Sequence, residues 1–186
     1  MKTYLAGFVL SLVAAGLFLP AAARAEDEKI DPTTYICAEY VALAFTQSAP
    51  PLFQSLQIDG FVSSNIGKTV ADPRMVMSLM ARTYSVCQRD PTAVAADVWQ
   101  EMKLELSDPL DEHWKADTAT CRQYNDNPDD GSGFVIWLDG YNRHYNVTEK
   151  SVLDSQKTLD TFLAACKKKP DARMIDVMQE TLKNSK

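Results

Sequence analysis

The chain states one pattern twice, and that repeat limits its fold more than any other feature. Cys87-Gln-Arg-Asp-Pro91 leads, six residues later, into Asp97-Val98-Trp99-Gln100-Glu101, and Cys166-Lys-Lys-Lys-Pro170 leads at the same distance into Asp176-Val177-Met178-Gln179-Glu180. Upstream, a hydrophobic-Asp-Gly-aromatic unit occurs as Ile58-Asp59-Gly60-Phe61 and again as Leu138-Asp139-Gly140-Tyr141. Before each unit a cysteine stands three residues short of a tyrosine, Cys37 before Tyr40 and Cys121 before Tyr124. The offset between copies falls from 84 to 80 to 79 along the chain, so the second copy is five residues shorter. Self-similarity at a fixed spacing points to one supersecondary unit copied head to tail. The expected organisation is a signal peptide at 1–25, a first module at 26–106, a linker at 107–117 and a second module at 118–186.

The leading segment stands apart from any fold argument. Lys2 precedes a largely apolar run from Tyr4 to Leu19, Pro20 breaks it, and Ala23-Arg24-Ala25 fits a signal peptidase site, which implies cleavage before Glu26 and export. A membrane anchor is the competing reading, but the run is at the short edge of spanning length. Removing Lys2 and Arg24 leaves 17 basic against 25 acidic side chains, a net charge of -8. Such a balance disfavours nucleic acid or anionic lipid as a partner. No later segment has the length to insert in a membrane, so a soluble periplasmic product is expected.

Export places Cys37, Cys87, Cys121 and Cys166 in an oxidising compartment. Spacing alone leaves three pairings open. The duplication chooses among them: each copy closes its own bridge, Cys37 to Cys87 and Cys121 to Cys166. Modules of about 75 residues have thin hydrophobic cores, and a bridge closing a loop of this size contributes about 4 kcal/mol through the unfolded state. Metal ligation by these thiols is disfavoured, since no CxxC occurs and His113 and His144 lie far from thiol pairs.

Apolar spacing reads as all-α, two tandem modules of about four helices each. Asp31-Pro32 signals a helix start for Ile36, Tyr40 and Leu43; a short second helix carries Leu52, Phe53 and Leu56 to a turn at Gly60, and 61–71 reads as loop. Asp72-Pro73 starts a helix with Val76, Leu79, Met80, Thr83 and Cys87 on one face, and Val94, Val98, Met102 and Leu106 line the next. In the second copy 125–133 reads as a polar loop, 134–138 as an apolar cluster ending in a glycine turn, and Thr148 as the cap of a helix carrying Val152, Leu159, Phe162, Leu163 and Cys166. Met174, Ile175, Met178 and Leu182 line the last helix.

No catalytic constellation stands out, so the chain is not expected to be an enzyme, and no cofactor or metal is expected. His144 follows a glycine unit without a serine or cysteine nucleophile placed near it, which suits a surface or capping role better than a general base. Residues 125–130 bring three carboxylates but lack the order and closing glutamate of a calcium loop. Asn146-Val147-Thr148 fits a glycosylation sequon, a motif short enough to arise by chance. Lys167 to Lys169 suit a solvated helix end. Phe134, Ile136, Trp137, Leu138 and Tyr141 form the one apolar cluster with two readings, core packing or a client or partner surface.

With Thr120-Cys121-x-x-Tyr124, Trp137-Leu-Asp-Gly-Tyr141 and Cys166-Lys-Lys-Lys-Pro170 in that order, the second copy resembles the HdeA/HdeB family of periplasmic acid-stress chaperones. The first copy matches through Cys37, Tyr40, Asp59-Gly60, Cys87 and Pro91, without a tryptophan in its glycine unit. The resemblance implies small helical modules with one disulfide each, and an ATP-independent chaperone whose partners are acid-denatured periplasmic proteins. This chain departs from the family in being doubled, so two fused modules would either mimic a pair that forms near neutral pH and parts in acid, or have abandoned that switch. The rival reading is a periplasmic binding or immunity protein that inhibits one specific partner in its folded state.

Overall fold

The computed structural model describes residues 29–47, 51–107 and 114–185. The proposed signal peptide, His113 and Leu110 lie outside them. Among the described residues the chain is all-helical: α1 (Cys37–Gln47), α2 (Leu52–Asn65), α3 (Pro73–Cys87), α4 (Ala95–Leu104), α5 (Cys121–Asp126), α6 (Pro128–Tyr145), a 3-10 turn (Val152–Asp154), α7 (Gln156–Lys168) and α8 (Met174–Asn184). None of these helices is long and apolar enough to cross a membrane.

Both expected bridges are present. Cys37–Cys87 and Cys121–Cys166 join Cα atoms 4.7 and 5.0 Å apart, each tying the start of one helix to the last turn of another. The repeated CxxxP pattern has a backbone cause. The first amides of a helix lack intrahelical partners, and here the loop after the second cysteine supplies them. Cys37 N–H donates to the Ala93 carbonyl and Ala38 N–H to that of Pro91, both at 2.8 Å. Cys121 N–H donates to Ala172 at 2.9 Å and Arg122 N–H to Pro170 at 2.6 Å, the same bonds in the other copy. Pro91 and Pro170 therefore end one helix and cap another.

The helix from Asp72-Pro73 forms as expected. Asp72 accepts from the amides of Arg74 and Met75, Pro73 takes the first helical position, and Val76, Leu79, Met80, Thr83 and Cys87 are buried. Three expectations need correction. Gly60 and Gly140 are not turns: both lie inside long helices, so the loops expected at 61–71 and 125–133 shrink to the residues after Asn65 and to Asn127. The reason is tertiary. A Cβ on Gly60 would stand 1.9 Å from the Trp137 carbonyl oxygen, and one on Gly140 2.1 Å from that of Gln57. The glycines are where α2 and α6, the most extensive helix pairing in the fold, touch backbone to backbone. Second, Thr148 does not cap a long helix; Ser151 caps the 3-10 turn and Ser155 caps α7. Third, Asp31 closes a turn on Thr33, and α1 begins only at Cys37.

The contact is reciprocal, because Gly60 and Gly140 stand 80 positions apart and so do Gln57 and Trp137. The two helices also end alike. Lys68 N–H reaches the Ser63 carbonyl and Gly67 N–H that of Ser64; Thr148 N–H reaches Arg143 and Val147 N–H reaches His144. This paired-bond ending requires a left-handed residue, supplied by Gly67 at φ 73° and by Val147 at φ 48°. The described end of the expected linker also packs. Trp114 is buried against Phe134, and the segment bonds to the α2–α3 connection through Ala71 N–H to Trp114 and Ala116 N–H to Thr69.

Candidate functional site

The crossing of α2 and α6 encloses the most unusual chemistry of the fold. Asp59, the residue before Gly60 in α2, sits 1% exposed at its centre. From α4, Trp99 Nε1 donates to Asp59 Oδ1 at 2.8 Å and Lys103 Nζ to the same oxygen at 2.5 Å. These side chains share a helix face because they are four residues apart. Lys103, itself 1% exposed, also donates to Ser63 Oγ at 2.7 Å. From α6, Trp137 Nε1 donates to Asp59 Oδ2 at 2.7 Å. One carboxylate thus gathers a buried cation and an indole from its own copy, and a second indole from the other.

Asp139 holds the equivalent position in α6 and is fully buried. Leu182 stands where the first copy has Lys103, and Met178 where it has Trp99. Lacking both, Asp139 accepts from Ser151 Oγ at 2.7 Å and from Val152 N–H at 2.8 Å. Burial pushes its pKa up to about 6, against the lowering effect of those two bonds and of Arg143.

A short N-terminal strap crosses the same junction. Ile30 N–H donates to Gln57 Oε1 on α2 and its carbonyl accepts from Arg143 on α6. Lys29 pairs with Asp154, and Asp31 lies 3.5 Å from the Arg143 guanidinium. Burial raises the Asp31 pKa, but bonds from Thr33 and the charges of Arg143 and Lys29 together outweigh it, and the net shift is downward.

Of the residues singled out for a client surface, Phe134, Trp137, Leu138 and Tyr141 are buried and Ile136 is partly buried. Stacked rings run along α6 from Trp114 through Phe134, Trp137 and Tyr141 to Tyr145 at 4.9 to 5.8 Å. In the folded chain Trp114, Phe134, Trp137 and Tyr141 are buried, and only Tyr145 at the end of the row is exposed. His144 bonds Ser64 Oγ through Nδ1 at 2.9 Å and sets its ring edge-on to Phe61, which joins α6 to α2. Asp129 and Asp130 occupy the first turn of α6, where Asp130 accepts from Trp114 Nε1. No group of three metal-ligating side chains occurs among the described residues.

Sequence reasoning did not single out Asp59, Trp99 or Lys103. The available signal was a carboxylate repeated inside an apolar unit, where an exposed aspartate has no reason to recur. Comparison with protein-family models gives no match, and neither comparison with curated proteins nor comparison with solved structures gives one.

Proposed function

We propose that the chain is an exported, ATP-independent chaperone that opens in acid and binds unfolding periplasmic proteins through the faces buried at the α2–α6 crossing. The observation that carries this reading is the buried Asp59–Lys103 pair, bonded across the junction by Trp137. Breaking a buried pair by removing one partner leaves an uncompensated charge and costs about 3–5 kcal/mol. Asp31 adds a contribution that acid removes. Its folded pKa is lowered, so its contribution is present above the ordinary carboxylate range and is lost as pH falls through the folded value.

Asp139 opposes opening at mild acidity. Its folded pKa of about 6 exceeds the ordinary 3.8, so the native state binds this proton first and gains stability as pH falls from about 6 to 4. Below about 4 that gain is complete, and loss of the exposed carboxylates takes over. With every carboxylate neutral, 17 basic side chains and two histidines leave about +19 on the mature chain, which repels itself. The disulfides keep each half closed on itself, so opening exposes the α6 aromatic row without complete unfolding. Both disulfides suit an oxidising compartment. The family resemblance of the second copy supports the same reading.

The test is light scattering of an aggregation-prone enzyme at pH 2 to 4 with the oxidised mature chain. Suppression at stoichiometric amounts is expected; undiminished aggregation would sink the proposal.

A further inference from the structure

A polar groove of about 310 Å3 lies between the last turn of α6, the connection that follows it and the last turns of α8. Asn142 and Asn146 face it from the α6 side, and Gln179, Leu182 and Lys183 from α8. Thr148 and Lys150 line it from the connection.

The first copy fills the corresponding place with apolar side chains. Asn142 stands where that copy has Val62, and Asn146 where it has Ile66, each 80 positions on, the spacing of Gly60 and Gly140. Val62 is 1% exposed and Ile66 packs on the core. Asn142 is equally buried at 1%. Its Oδ1 accepts from Asn146 Nδ2 at 2.5 Å, while its own Nδ2 has no hydrogen-bond partner. A buried donor without an acceptor weakens a fold, and valine at that position would avoid the loss. An acceptor supplied from outside the chain accounts for the exchange.

The surrounding charges say what kind of acceptor fits. Among the described residues no aspartate or glutamate lines the groove. Lys150 Nζ donates to the carbonyls of Leu182 and Ser185 at 3.0 and 2.9 Å, which fixes its positive charge at the rim. Lys183 is exposed and forms no ion pair among the described residues. An amide donor between two ammonium groups complements a carboxylate. The Gln179 amide and the Thr148 hydroxyl each donate and accept, which suits hydroxyl groups beside that carboxylate.

We infer that the folded chain binds in this groove a small hydroxylated carboxylic acid, about the size of a single sugar acid. The carboxylate accepts from Asn142 Nδ2, which the exposed Asn146 side chain uncovers by turning outward, and faces Lys150 and Lys183. The hydroxyl groups meet Gln179 and Thr148. This binding needs no opening of the α2–α6 crossing and stands apart from the acid reading.

The oxidised mature chain, isotope-labelled for NMR, is titrated at pH 7 and low salt with glucuronate, with glucose as its uncharged counterpart and with acetate as the bare carboxylate. Glucuronate is expected to shift the Asn142 side-chain amide signals with a Kd of about 1 mM. Glucose and acetate should bind at least about fivefold more weakly. Asn142→Val combined with Asn146→Ile installs the residues of the first copy; it should weaken glucuronate binding at least about tenfold and raise the melting temperature. Lys183→Gln should weaken binding about two- to fivefold, as should added salt. Glucose or acetate binding as tightly as glucuronate overturns the inference, as does glucuronate that leaves the Asn142 signals unmoved. Unchanged affinity in the double variant overturns it too. So does a double variant that melts below the parent, since the two amides would then serve the fold. Because this assay uses the folded chain at pH 7, its failure leaves the acid aggregation test standing.

Discussion

Replacing Lys103 by methionine tests the central pair most directly. Lys103 and Asp59 are each 1% exposed, with Nζ and Oδ1 2.5 Å apart. Methionine fills most of the lysine stem, so the cavity left is small and the loss is electrostatic. Asp59 would keep the two indole donors but no cation, at an expected cost of about 3–5 kcal/mol near pH 7. The pH dependence separates this cause from poor packing. A lone buried carboxyl takes up a proton before its unfolded counterpart does, and stability then falls by about 1.4 kcal/mol for each pH unit gained above the ordinary carboxylate range. Relative to the parent chain, the deficit should therefore grow by up to about 3 kcal/mol between pH 5 and pH 7. Urea unfolding followed by tryptophan fluorescence at both pH values measures it. Adding Asp59→Asn to Lys103→Met should recover at least half of the pH 7 loss, because replacing a whole buried pair is far milder than breaking it. A deficit below about 1 kcal/mol at pH 7, or one equal at the two pH values, would refute the reasoning.

Asp139→Asn should raise stability at pH 7 by on the order of 3 kcal/mol and flatten the pH dependence between about 4 and 6, where a carboxyl with a pKa of about 6 otherwise penalises the ionised native state; unchanged urea midpoints across that window count against it. Gly60→Ala and Gly140→Ala should each cost about 3 kcal/mol despite better helix propensity, because the new methyl meets backbone rather than a movable side chain. A thermal melt showing either substitution neutral contradicts the close crossing. Val147→Gly should stabilise by about 1 kcal/mol, since Val147 is a β-branched residue at φ 48° in the place that Gly67 fills in α2; a melting temperature that does not rise argues against a strained helix end.

Much of the framework was legible because it is local or repeated. The capping of α3 by Asp72 and Pro73, the buried faces of α3 and α8 and both disulfide pairings followed from short-range patterns and from the copying of one unit. The long helices were misjudged for a specific reason. Glycine flanked by serine, asparagine or aspartate reads as a turn when only neighbours along the chain are considered, and both Gly60 and Gly140 sit in such company. Their purpose lies in the partner helix, whose carbonyl occupies the space of the missing Cβ. The Asp59 site was hidden in the same way, because its cation is 44 residues away and one of its indoles 78.

Periodicity and repetition by themselves determined that the chain is helical and that each repeat of the cysteine pattern closes its own bridge, since helix caps, apolar periodicity and duplication act within or between short segments. Only the tertiary structure decided that the two glycine helices, α2 and α6, meet around a buried carboxylate. That choice depends on which backbones can approach closely and on where a buried charge finds its partners, and neither is written in the spacing of residues along the chain.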